Sequence, residues 1–143
     1  MGSRSHVLTN VSLEMKSEMN IRLILAIAIA VHGIGHILGV LTIPMGMLKE
    51  SGFTQSSWLT DRLGLNTTMV RGLGLLWLVA TVLFPLAAYG YFYDLAWWQT
   101  TVKISVALSV ALFLGWWDAF PANIPIQANL GNVATLAALY LYA

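Results

Sequence analysis

Two histidines, His32 and His36, stand four residues apart in the stretch Val31-His32-Gly33-Ile34-Gly35-His36-Ile37-Leu38-Gly39. On a helix that spacing puts both rings on one face. An imidazole can give or take a proton near neutral pH, and its bare nitrogen is a ligand for metals. The pair therefore offers three kinds of chemistry: proton handling for a lipophilic substrate such as a quinone, a metal ion shared by both rings, or an axial bond to haem. Zinc motifs with this spacing carry a glutamate as well, and none stands here, which leaves Asp118 as the carboxylate that could complete a metal site. Haem held by two histidines in a bundle normally draws them from two helices, whereas these two share one.

The histidines interrupt an otherwise apolar run from Ile21 to Ile43. An ionisable residue at membrane depth is costly, which makes it a functional-site hypothesis by default. The whole chain points to lipid as its solvent. Of its 143 residues 58% are hydrophobic and only 9% are charged, against about 25% charged in soluble domains. The net charge of +1 provides no basic stripe for nucleic acid. With no cysteine, disulfides, thiolate catalysis and cysteine-ligated zinc or iron–sulfur centres are excluded.

A spanning helix needs about 20 mostly apolar residues, and four segments answer to that: Ile21 to Ile43, Val70 to Tyr93, Ala96 to Trp117 and Pro125 to Ala143. The expected fold is all-α, an integral membrane four-helix bundle over residues 19 to 143. Residues 1 to 18 form an N-terminal extension, read as disordered or as lying ahead of an alternative start at Met19. They do not resemble a signal peptide, because no apolar core follows the first charges. Trp97, Trp98, Trp116, Trp117 and the tyrosines at 89, 91, 93, 140 and 142 mark membrane–water boundaries. Pro85 falls inside the second span, where a kink or simple tolerance is expected. The long connection from Pro44 to Met69 holds Trp58, Leu59, Leu63 and Leu65, enough for a short helix lying on the membrane surface. With both termini on one side, Arg4, Lys16, Arg22 and Lys103 outnumber Lys49, Arg62 and Arg71, which places the termini in the cytoplasm.

Counting along these spans gathers the polar residues. His32 lies about 16 Å into the first span at 1.5 Å per residue, near the midplane. His36 is one turn further toward the far side. Arg71 opens the second span on that side, Asp118 ends the third, and Gln127, Asn129 and Asn132 begin the fourth. His32, His36, Arg71, Asp118, Asn129 and Asn132 are therefore the candidate lining of an intramembrane pocket, with Arg71 and Asp118 expected as an ion pair because each would be expensive alone. The competing reading is structural: amides and histidines bonded across helices as glue. Gly33, Gly35 and Gly39 fit close helix packing and leave room beside the rings.

The matching stretches Val31-His32-Gly33 through His36-Ile37-Leu38-Gly39, Arg71-Gly72-Leu73-Gly74-Leu75-Leu76-Trp77-Leu78, Trp97-Trp98, Trp116-Trp117-Asp118 and Asn129-Leu130-Gly131-Asn132 resemble the small four-span DoxX-like membrane proteins of prokaryotes. The likeness covers roughly residues 19 to 143. It implies a four-helix fold in a prokaryotic inner membrane, and some such proteins serve as membrane subunits of quinone-linked oxidoreductases. The expected function is thus a membrane subunit or scaffold with an intramembrane polar pocket, partnered by another membrane protein or by copies of itself. The alternatives are an intramembrane enzyme or redox element acting on a lipophilic substrate such as a quinone, and an oligomeric transporter.

Overall fold

The computed structural model describes residues 3 to 142, with side chains described from 16 to 141. Among these residues the chain is all helical. Seven α-helices follow in order: α1 (Ser3–Gly35), α2 (Ile37–Thr42), α3 (Trp58–Arg62), α4 (Thr67–Gly74), α5 (Leu76–Phe92), α6 (Trp98–Gly115) and α7 (Asn123–Tyr142). Single 3₁₀ turns occupy Lys49–Ser51 and Trp117–Ala119. The helix that carries the first apolar run starts at Ser3, and most of the expected 1 to 18 extension lies outside the described side chains.

Three stretches among the described residues are long and apolar enough to cross a membrane: Lys16–Thr42, Thr67–Phe92 and Trp98–Gly115. These correspond to the first three expected spans. The fourth is a helix, α7, that carries no charge but falls short of the other three in apolarity, because Gln127, Asn129 and Asn132 dilute its first half. In space α7 lies beside α6 and also touches α1, while α5 packs on both α1 and α6. The four long helices therefore close on one another around two clusters of buried side chains. One centres on Phe84, Tyr91, Trp98 and Val102. The other centres on Ile43, Trp77, Phe113 and Trp116.

Two interruptions break the long apolar runs. The first, at His36, separates α1 from α2 (φ −68°, ψ −10°). The second, at Leu75, separates α4 from α5 (φ −64°, ψ −17°). In both, an N–H turns back three residues instead of four, at 3.0 Å from His36 to the Gly33 carbonyl and at 3.2 Å from Leu75 to that of Gly72. Such tighter turns inside a helix are a local departure from the α-helical ladder. The two interrupted runs also pack closely, since a Cβ on Gly39 would strike the indole of Trp77, and one on Gly33 would strike Phe84. Pro85 produces no break: α5 runs through it, and Gly33 leaves the room its ring occupies.

The connection between α2 and α4 is fastened to the end of α6. A helix ends with carbonyls that have no partner in their own ladder. Here the Ser57 hydroxyl donates to the Gly115 carbonyl at 2.6 Å and the Trp58 indole N–H donates to that of Leu114 at 3.1 Å. The Trp116 indole donates in return to the Gln55 carbonyl at 3.3 Å. The short helix expected around Trp58 is present as α3. It starts at a capping box in which the Ser57 and Thr60 side chains each bond the other's backbone N–H.

Candidate functional site

The break at His36 is where the site begins. With its backbone N–H drawn to Gly33, His36 points its own ring back at the preceding turn, and Nδ1–H donates to the His32 carbonyl at 3.1 Å. A carbonyl oxygen only accepts, so Nδ1 carries the proton. In the neutral ring Nε2 is then an acceptor. It receives the Ser109 hydroxyl at 2.7 Å, from α6.

A second carbonyl fixes the rest. On α7 the Asn129 amide nitrogen donates to the Pro125 carbonyl at 2.9 Å, which turns its oxygen toward Asn132, 3.4 Å from the Asn132 amide nitrogen. That same nitrogen donates to Ser109 Oγ at 2.9 Å. The Asn132 oxygen is left facing His32 and accepts from its Nε2–H at 2.9 Å. Every proton now has a place. His32 gives to Asn132, Asn132 to Ser109, Ser109 to His36, and His36 to the His32 carbonyl, a closed circuit across α1, α6 and α7. Donors aligned head to tail reinforce one another.

The circuit sits in a dry setting. Ser109, Asn132 and His36 are 0%, 1% and 2% exposed. The His36 ring stacks on Phe84 at 5.2 Å between centroids, with Phe113 at 5.6 Å and Trp77 at 5.9 Å. The His32 ring meets Phe84 edge-on at 4.8 Å. On its other side it fits against Gly131, where a Cβ would come within 2.6 Å of Nδ1. His32 is half-buried, and beside the pair a groove of about 260 Å³ opens between α1 and α7. Its wall combines His32, His36 and Gln127 with Val31, Gly35, Leu38, Phe113, Ile124 and Ala128.

Of the six residues expected to share a pocket, four come together: His32, His36, Asn129 and Asn132. Arg71 and Asp118 do not join them. Asp118 is exposed and accepts the Trp58 backbone N–H with both oxygens, at 2.9 and 3.1 Å. Free N–H groups at a helix start attract a carboxylate, and α3 presents one close at hand. Arg71 is exposed too, and the expected ion pair between them is not formed. Among the described residues the ion pair lies at the other end of the molecule, Arg22 with Asp94 at 3.9 Å, with Arg22 also over the Tyr91 ring. Ser109, which joins the histidines and Asn132, is not among the residues the sequence singles out. Its only signal was a serine pair, Ser105 and Ser109, on one face of an apolar helix.

An ion shared by the two rings, or haem bound to His36, does not fit this arrangement. Both nitrogens of His36 and Nε2 of His32 are committed within the protein, so the two rings cannot share an ion. Asp118 is occupied elsewhere, and no cluster of three potential ligands occurs among the described residues. The faces of His36 are taken by Phe84, Phe113 and Trp77, where a porphyrin bound to it would need space.

No protein-family model, curated protein or solved structure matches the chain.

Proposed function

We propose that this protein is an integral membrane four-helix bundle, with α7 as its fourth span, and that the groove beside His32 and His36 holds a small lipophilic molecule that enters sideways from the acyl chains. It acts as a membrane subunit or scaffold that binds such a ligand, and not as a self-sufficient enzyme. The bilayer reading is supported by the outward faces of the long helices. Ile24, Ile27, Val31, Val82, Leu130 and Val133 are all exposed, so these helices are apolar outside as well as in. The binding reading is carried by one observation: the groove brings polar edges into a wall that is otherwise hydrocarbon. Small-molecule sites have this make-up, apolar with a few placed polar groups. The segment from Pro44 to Asn66 is fastened to the end of α6 through Gln55, Ser57 and Trp58. The DoxX-like resemblance agrees with a subunit role in a prokaryotic inner membrane.

The test is photolabelling in lipid nanodiscs with a diazirine-bearing alkyl chain, followed by mapping of the adducts. Gly35 lines the groove, and a Cβ built on it meets nothing within 4 Å, so Gly35→Leu fills the groove and leaves the circuit alone. Labelling concentrated on Val31 to Leu38 and Ile124 to Ala128, and lost in Gly35→Leu, is the expected outcome. Labelling spread evenly over the outer faces and indifferent to that substitution would remove the binding reading.

A further inference from the structure

We propose that the groove selects a molecule with a hydroxyl head, a long-chain alcohol or phenol, and that His32 Nδ1 is the atom that accepts its hydrogen bond. The inference rests on the binding reading above and adds the chemistry of the head group.

The Pro125 carbonyl orients Asn129, Asn129 orients Asn132, and Asn132 presents an oxygen to His32 Nε2. An amide oxygen only accepts, so His32 must spend its ring proton there. A neutral imidazole has one proton, and placing a charge in hydrocarbon is costly. Nδ1 of His32 therefore keeps a bare lone pair. Of the four ring nitrogens of the pair it alone has no protein partner among the described residues. Nor is it sealed in the core: the fully buried polar side-chain atoms without a partner are Thr42 Oγ1 and Trp77 Nε1. Its edge lies against Gly131 of α7, where the ring borders the groove, and an unpaired acceptor there favours a ligand that brings a donor. A ketone, an ether or an ester brings acceptors only and gains nothing at this nitrogen. Gln127 is the polar side chain on the groove wall besides the two histidines, and its amide N–H is a donor for the hydroxyl oxygen. A hydrocarbon tail then has Val31, Leu38 and Ile124 to lie against.

The circuit also explains why the site keeps its polarity. For His32 to present a donor instead, Asn132 would have to turn over, setting its oxygen against the Asn129 oxygen and withdrawing the proton it gives Ser109. The acceptor at Nδ1 is thus fixed by bonds made on another helix.

The experiment uses the full chain in phosphatidylcholine nanodiscs with ¹⁵N-labelled histidine, titrated with dodecanol and, separately, with dodecyl methyl ether. Nitrogen shifts distinguish a protonated from a bare ring nitrogen. The free protein is expected to show His32 protonated at Nε2 and bare at Nδ1. Dodecanol is expected to shift the Nδ1 signal, with the ether about tenfold weaker, as one hydrogen bond would make it. Gly35→Leu should abolish the response while the His36 signals stay in place, which shows that the fold is kept. A proton found on His32 Nδ1 in the free protein overturns the proposal. Equal responses to alcohol and ether overturn it as well, while leaving the groove a binding site. If neither compound perturbs His32 or competes with the photolabel, the binding reading itself falls, and this proposal with it.

Discussion

Ser105 and Ser109 stand one turn apart on the same face of α6, and both are fully buried. Ser105 gives its proton to the Thr101 carbonyl at 2.7 Å, one turn back on its own helix. Three other hydroxyls in the long helices do likewise: Thr81 to Trp77, Thr101 to Trp97 and Thr135 to Gly131. Ser109 instead reaches out, giving to His36 and taking from Asn132. Ser105 and these threonines are closed off, because each hydroxyl is satisfied within its own helix. The layer around Ser109 is satisfied only by three helices together. Burial of a polar atom therefore does not mark a site. What marks it is a bond that leaves the helix.

Substitutions should separate the two layers. Asn132→Leu has the largest expected effect. It removes the acceptor of His32 and the donor to Ser109 at once, and should cost roughly 2 to 3 kcal/mol, since a buried donor is left bare. Reversible unfolding in mixed micelles measures this, and a loss below about 0.5 kcal/mol would show that the circuit contributes no net stability. Ser109→Ala breaks two bonds but leaves Asn132 with Asn129 and His32, and should cost about 1 to 2 kcal/mol in the same assay. Ser105→Ala is the control. Its bond is local and its carbonyl partner belongs to the helix ladder, so the cost should be about 0.5 kcal/mol or less. Equal losses for the two serines would erase the distinction between the layers.

How far the sequence reveals this follows from the range of each interaction. The apolar runs, the positions of the histidines along them and the polar start of the last helix are local properties, and each is legible in the pattern of residue types. The depth count correctly brings His32 and His36 level with Asn129 and Asn132. It fails for Arg71 and Asp118, because a count along the helices does not see the Pro44 to Asn66 segment, whose Trp58 N–H captures the Asp118 carboxylate. Ser109 was illegible for a related reason: nothing in the local sequence distinguishes it from Ser105, and the difference lies in what α1 and α7 bring opposite. The break at His36 was hidden too. Gly33 and Gly35 weaken the helix there, but only the packed form shows the ring turned back on the His32 carbonyl.

The circuit also has an order in time. His32, His36 and Ser109 are synthesised before Asn132, so the circuit lacks one member until α7 is made. The amides that keep α7 short of the three candidate spans in apolarity include the very group that completes the circuit. On the four-span reading, the translocon would hand over three greasy helices readily and hesitate at the fourth. On that reading the finished cluster would supply the destination that hydropathy alone does not, and α7 would be recruited by its polarity.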